Sequence, residues 1–72
     1  MLYIVHMDNG HGEWGWVYVV PQKQEAMDFA KDYAEGEKKV VFLSAKSKRT
    51  YTAFKATKTV VVQESSNYYN GA

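Results

Sequence analysis

Seventy-two residues and 8.2 kDa leave room for a single folded domain, and 46% apolar with 15% aromatic residues is far from the composition of a disordered chain. The absence of cysteine excludes a disulfide framework, a zinc ribbon and thiol catalysis. No apolar run approaches the roughly 20 residues of a membrane span, and residues 1–20 lack the basic start and cleavage site of a signal peptide, so the expectation is a cytoplasmic α+β domain without membrane contact.

The net charge of +1 hides a sorted chain. Residues 1–37 carry Asp8, Glu13, Glu25, Asp28, Asp32, Glu35 and Glu37 against Lys23 and Lys31. Residues 38–63 carry Lys38, Lys39, Lys46, Lys48, Arg49, Lys55 and Lys58 with no acid. Such asymmetry bears on partners rather than on fold, unless neighbouring strands from the two halves neutralise each other.

Leu2 to Met7 and Trp14 to Val20 are β-rich runs around Asn9-Gly10, the pair that best suits a two-residue hairpin turn with positive φ at both positions. Centring the turn there pairs Val5 with Trp14, Tyr3 with Trp16 and His6 with Glu13. Alternation then puts Leu2, Ile4, Val17 and Val19 on one face, with Gly15 opposite Ile4 leaving room for close packing. Tyr3, Val5, Met7, Trp14, Trp16 and Tyr18 share the other.

Pro21 ends the second strand. Ala26, Phe29, Ala30, Tyr33 and Ala34 recur at helical spacing, predicting a helix from about Gln22 to Glu35 with Gly36 beyond its end. Its alanines would bring the backbone close to the aliphatic Leu2/Ile4/Val17/Val19 face. Lys39 to Ala45 reads as a third strand and Lys46-Ser47-Lys48-Arg49 as a polar turn. Thr50 to Gln63 contains no Gly, Pro, Asn or Asp, and reads as one long bent strand or as two meeting near Ala56-Thr57. Residues 1–64 would thus form an antiparallel sheet of four or five strands with one helix on it, and residues 65–72 a flexible polar tail.

One helix about 20 Å long covers one face of such a sheet and leaves the other open. The open face would carry Tyr3, Val5, Met7, Trp14, Trp16 and Tyr18, enough apolar area to need a second copy, a partner, a ligand or the Tyr68-Tyr69 tail upon it. Lys46, Lys48, Arg49, Lys55 and Lys58 form a second candidate surface, attractive to anions. Together with aromatic rings on a sheet, they would suit a phosphorylated nucleotide or a single-stranded nucleic acid.

His6, Asp8, His11 and Glu13 have metal-ligand chemistry, but on one hairpin they read as ordinary cross-strand pairs, so neither metal nor cofactor is expected. No serine, histidine or carboxylate stands in a catalytic pattern, and Gly10, Gly12 and Gly15 belong to a hairpin rather than to a phosphate loop, so no enzyme is expected. In general character (a short chain with a hairpin, an alanine-striped helix and further strands) the sequence resembles small phage-encoded accessory proteins. That resemblance spans the chain, rests on no motif and transfers no residues. It implies binding and blocking of a host protein. Three readings follow: a host-protein binder that self-associates as a dimer or higher oligomer, a nucleotide-type ligand binder, and a structural homo-oligomer without ligand.

Overall fold

The computed structural model describes residues 1–54 and 58–66. The hairpin strands β1 (Leu2–Asp8) and β2 (Trp14–Val20) are followed by α1 (Lys23–Ala34), β3 (Lys39–Leu43), a 3-10 turn η1 (Tyr51–Phe54) and β4 (Thr59–Ser65). The fold class is the α+β one expected, with four strands ordered β2-β1-β4-β3. β1 runs antiparallel to both its neighbours, whereas β3 and β4 are parallel, so the sheet is mixed rather than wholly antiparallel. Parallel neighbours cannot be joined by a tight turn, and η1 lies between them in the chain.

α1 lies on the face opposite to the one its alanines were expected to cover. Ala26, Ala30 and Ala34 are buried against Val5, Met7, Val20, Val60 and Val62, with Tyr3, Tyr18, Met27, Phe29, Tyr33, Val40 and Phe42 packed around that cluster. The reason is complementarity of size. A small-residue stripe leaves a shallow groove that the bulkier odd-numbered side chains of β1 and the valines of β4 fill, and interiors close at crystal-like density. The even-numbered face also carries His6, Gln63 and Thr59, which suit a polar covering better than an apolar helix.

The hairpin register differs from the expected one in an instructive way. Tyr3 pairs with Val20, Val5 with Tyr18 and Met7 with Trp16, four positions away from a two-residue turn but with unchanged parity. His6 accordingly faces Val17 rather than Glu13. The loop is longer because side chains hold it: Asp8 Oδ1 accepts from the Gly10 N–H, Asn9 Oδ1 from that of His11, and Asn9 Nδ2 donates to Glu13 Oε1. A bulge follows, with Asp8 opposite Trp14 and Met7 opposite Trp16. Gly15 supplies the extra residue at φ 99°, a conformation that disfavours a side chain. A Cβ there would meet nothing within 4 Å, so backbone conformation, not close packing against Ile4, is why glycine stands there.

α1 begins after Gln22, which makes no side-chain cap, and ends with Glu35 and Gly36 both in left-handed conformation. Thr50 to Gln63 is neither a long strand nor two. Its first part winds into η1, where the Ala53 N–H reaches the Thr50 carbonyl and the Thr50 and Thr52 hydroxyls bond each other, and its last part is β4. β4 also takes in Ser65, expected as the first residue of the tail. Lys55 and residues 67–72, including Tyr68 and Tyr69, lie outside the described residues.

Candidate binding surfaces

The six residues expected on an open aromatic face have separate fates. Val5 and Met7 are 0% exposed beneath α1, which overturns their reading as contact residues. Tyr18 stacks on Phe29 at 4.1 Å between ring centroids, and Tyr3 tilts against Phe42 at 6.5 Å. Two lysines, one at the start of α1 and one just before β3, close the rim: Lys23 Nζ sits 4.3 Å from the centre of the Phe42 ring and Lys38 Nζ 5.2 Å from that of Tyr33. The Tyr3 hydroxyl donates to Glu64 Oε2, and the removal of water and the nearby Glu64 charge raise its pKa. Trp14, beside the bulge, is half-buried, its Nε1 enclosed without a hydrogen-bond partner. Trp16 alone of the six is open, at 52% exposure, with its neighbour Val17 at 41%.

The second face is not bare either. His6 is 7% exposed, and its ring lies parallel to that of Tyr51 at 3.9 Å, so the link lays η1 across the middle of the sheet. His6 Nε2 pairs with Gln63 Oε1 at 3.2 Å, and burial lowers the imidazole pKa by more than this bond restores. A single helical lid was expected; the structure has two, and the second is a turn of the chain with no apolar periodicity to announce it.

Asp8 serves as a tether. The Tyr33 hydroxyl, at the end of α1, lies on the Asp8 carbonyl and 2.5 Å from its Oδ1. That bond, then the Gly10 N–H, holds the Asp8 pKa low, while burial and the carboxylate push Tyr33 up to about 12. His6 pairs with Gln63, Asp8 with Tyr33 and Glu13 with Asn9, so three of the four acid and histidine side chains of the hairpin are engaged in structural bonds. Among the described residues no group of three or more His, Cys, Asp or Glu is placed to hold a metal ion.

The basic residues separate as well. Lys46, Lys48 and Arg49 follow β3, the edge strand farthest from β2, with β1 and β4 between them and Trp16. Rings of β2 and cations of the turn therefore do not form the joint surface that a nucleic-acid strand would track. Arg49 and Lys58 instead meet around an open cleft of about 590 Å³ with Glu37, Lys39, Val41, Ala53, Phe54 and Thr59. Of the lining, the sequence alone singled out only Arg49 and Lys58 for binding, because only the parallel pairing brings the starts of β3 and β4 together. No family model, curated protein or solved structure matches this chain, so its function rests on the chemistry of these surfaces. Among the described residues no helix is long and apolar enough to cross a membrane.

Proposed function

We propose that this chain is a cytoplasmic, non-catalytic binding protein that engages a protein partner by strand addition at the open edge of β2, with the Trp16 indole as its anchor. The carrying observation is that β2, a seven-residue edge strand, contains no charge and no proline, and exposes Trp16 and Val17. Edge strands left to solvent are ordinarily guarded by lysine, proline or brevity. The opposite edge obeys that rule: β3 has five residues and begins with Lys39. An added strand gains backbone hydrogen bonds along its length, and an exposed tryptophan within β2 is the residue type that dominates interface energies. The resemblance to phage-encoded accessory proteins implies, as partner, a host protein that would be blocked by occupancy. A second copy of β2 would compete for the same edge.

Selection of displayed extended peptides, followed by tryptophan fluorescence and amide exchange, tests this reading. A supporting peptide shifts the Trp16 emission and protects β2 amides, and Val17→Lys, at an exposed position, removes it. Light scattering on the free chain separates self-pairing from partner capture. If no peptide protects β2 and Val17→Lys changes neither binding nor mass, the edge has no such role.

A further inference from the structure

We infer that the cleft between η1 and the starts of β3 and β4 is a binding site for a phosphate monoester carrying an apolar or planar body, a nucleoside monophosphate being the fitting class. It lies at the far edge of the sheet from Trp16 and stands independently of the strand-addition reading.

The frame of the cleft is set by backbone pairing. The Lys39 N–H donates to the Lys58 carbonyl at 2.9 Å, and Lys39 stands beside Thr59 in the parallel register, which fixes the two strand starts. η1 hangs Ala53 and Phe54 over them. The Arg49 guanidinium lies 4.4 Å from the centre of the Phe54 ring, so its planar fork is oriented before any ligand arrives, and its backbone N–H is bonded to Ser47 Oγ. Preorganisation of this kind reduces the ordering that binding would otherwise require.

The lining dictates the ligand. Lys39, Arg49 and Lys58 set three positive charges against Glu37, a local excess of two that a dianionic phosphate monoester balances and a monocarboxylate does not. Arginine offers phosphate two parallel hydrogen bonds, and lysine adds point charge. Val41, Ala53 and Phe54 give the non-phosphate part apolar walls, while Glu37 accepts from a hydroxyl and repels additional phosphates. The volume of about 590 Å³ falls within the range of small-molecule sites, about 300–1,000 Å³. A longer nucleic-acid strand would need cations continuing beyond the cleft toward the rings, and those rings stand across the sheet.

The test is a set of NMR titrations with AMP, phenyl phosphate, inorganic phosphate, adenosine and a short single-stranded oligonucleotide. AMP and phenyl phosphate should saturate, moving the amides of Lys39, Arg49 to Phe54 and Lys58 to Thr59. Inorganic phosphate and adenosine should each bind at least about tenfold more weakly than AMP, because each lacks half of the recognition. Arg49→Gln should weaken AMP at least about tenfold, as expected when a charge-assisted pair is lost, whereas Lys31→Gln on the exposed side of α1 should change nothing. Should Arg49→Gln unfold the chain, Lys58→Gln carries the same expectation. No saturable shift at millimolar AMP overturns the proposal. So does equal affinity in the folded Arg49 or Lys58 variants, or tighter oligonucleotide binding with shifts spread over the whole chain.

Discussion

Replacing Tyr51 by alanine asks whether η1 is a structural lid. The ring lies parallel on His6 at 3.9 Å, and a stacked aromatic pair contributes about 0.5–1.5 kcal/mol beyond its area burial. Tyr51 is itself half-buried, so lost apolar area brings the expected destabilisation to about 1–2.5 kcal/mol. For a domain of this size that lowers Tm by roughly 5–15 °C. A second readout is specific to the contact. Burial is the leading reason the His6 pKa is depressed, so uncovering the ring should return it toward the ordinary imidazole value. Thermal melts followed by circular dichroism measure the first effect, and imidazole proton titrations the second, with His11→Gln assigning the two histidine signals. An unchanged Tm together with an unchanged His6 titration would refute the claim that η1 covers this face.

Acid should weaken the fold in two stages. Because the folded pKa of His6 is depressed, its contribution is complete above the unfolded value near 6.5 and is lost as pH falls below it; His6→Phe should flatten that part of a stability–pH curve measured in urea. The Asp8 contribution is complete above the ordinary aspartate value and disappears as pH falls through its lowered one, while that of Tyr33 persists to alkaline pH and is lost toward about 12. Tyr33→Phe should remove the alkaline sensitivity, reduce the Asp8 one to what the Gly10 N–H still supplies, and cost about 1 kcal/mol at neutral pH, read from the same denaturation series. Gly15→Ala should cost about 1–2 kcal/mol although nothing lies within 4 Å of the added carbon, since the penalty sits in the backbone at φ 99°; an unchanged urea midpoint would contradict that account. Ala30→Leu should cost about 1–3 kcal/mol by overfilling the contact between α1 and the valines of β4, visible as a lowered Tm.

The sequence made some of this structure legible and hid the rest for identifiable reasons. Local signals located β1, β2, the alanine stripe of α1 and the core of β3: β-rich runs around Asn9-Gly10, helical spacing of the alanines, and a short run apolar on both faces. The choice of covered face was not legible. Tyr3 and Tyr18 look like contact residues when weighed by type, yet here they flank a groove whose width is set by Ala26, Ala30 and Ala34. The bulge was hidden behind a Gly15 that reads equally well as a packing glycine. η1 was hidden because Tyr51, Thr52, Ala53 and Phe54 all suit a strand, and only the parallel entry of β4 forces the chain to turn first. The cleft was out of reach for the same reason, since Lys39 and Lys58 are distant in sequence and become neighbours only through that pairing. Of the candidate contact residues, Trp16 kept its exposure and Arg49 and Lys58 kept their company.

β4 is the last strand in chain order, yet it sits between β1 and β3, and its pairing with β1 brings Leu2 opposite Ser65. Until it inserts, the hairpin and the third strand have no common neighbour, and half of the groove under α1 is unfilled. Assembly should therefore be governed by one long-range closure rather than by growth outward from the hairpin, which makes folding slower than local pairing alone would allow. A chain cut before Thr59 keeps a hairpin and a helical sequence but loses the wedge that makes them one body, and such a fragment should melt without cooperativity.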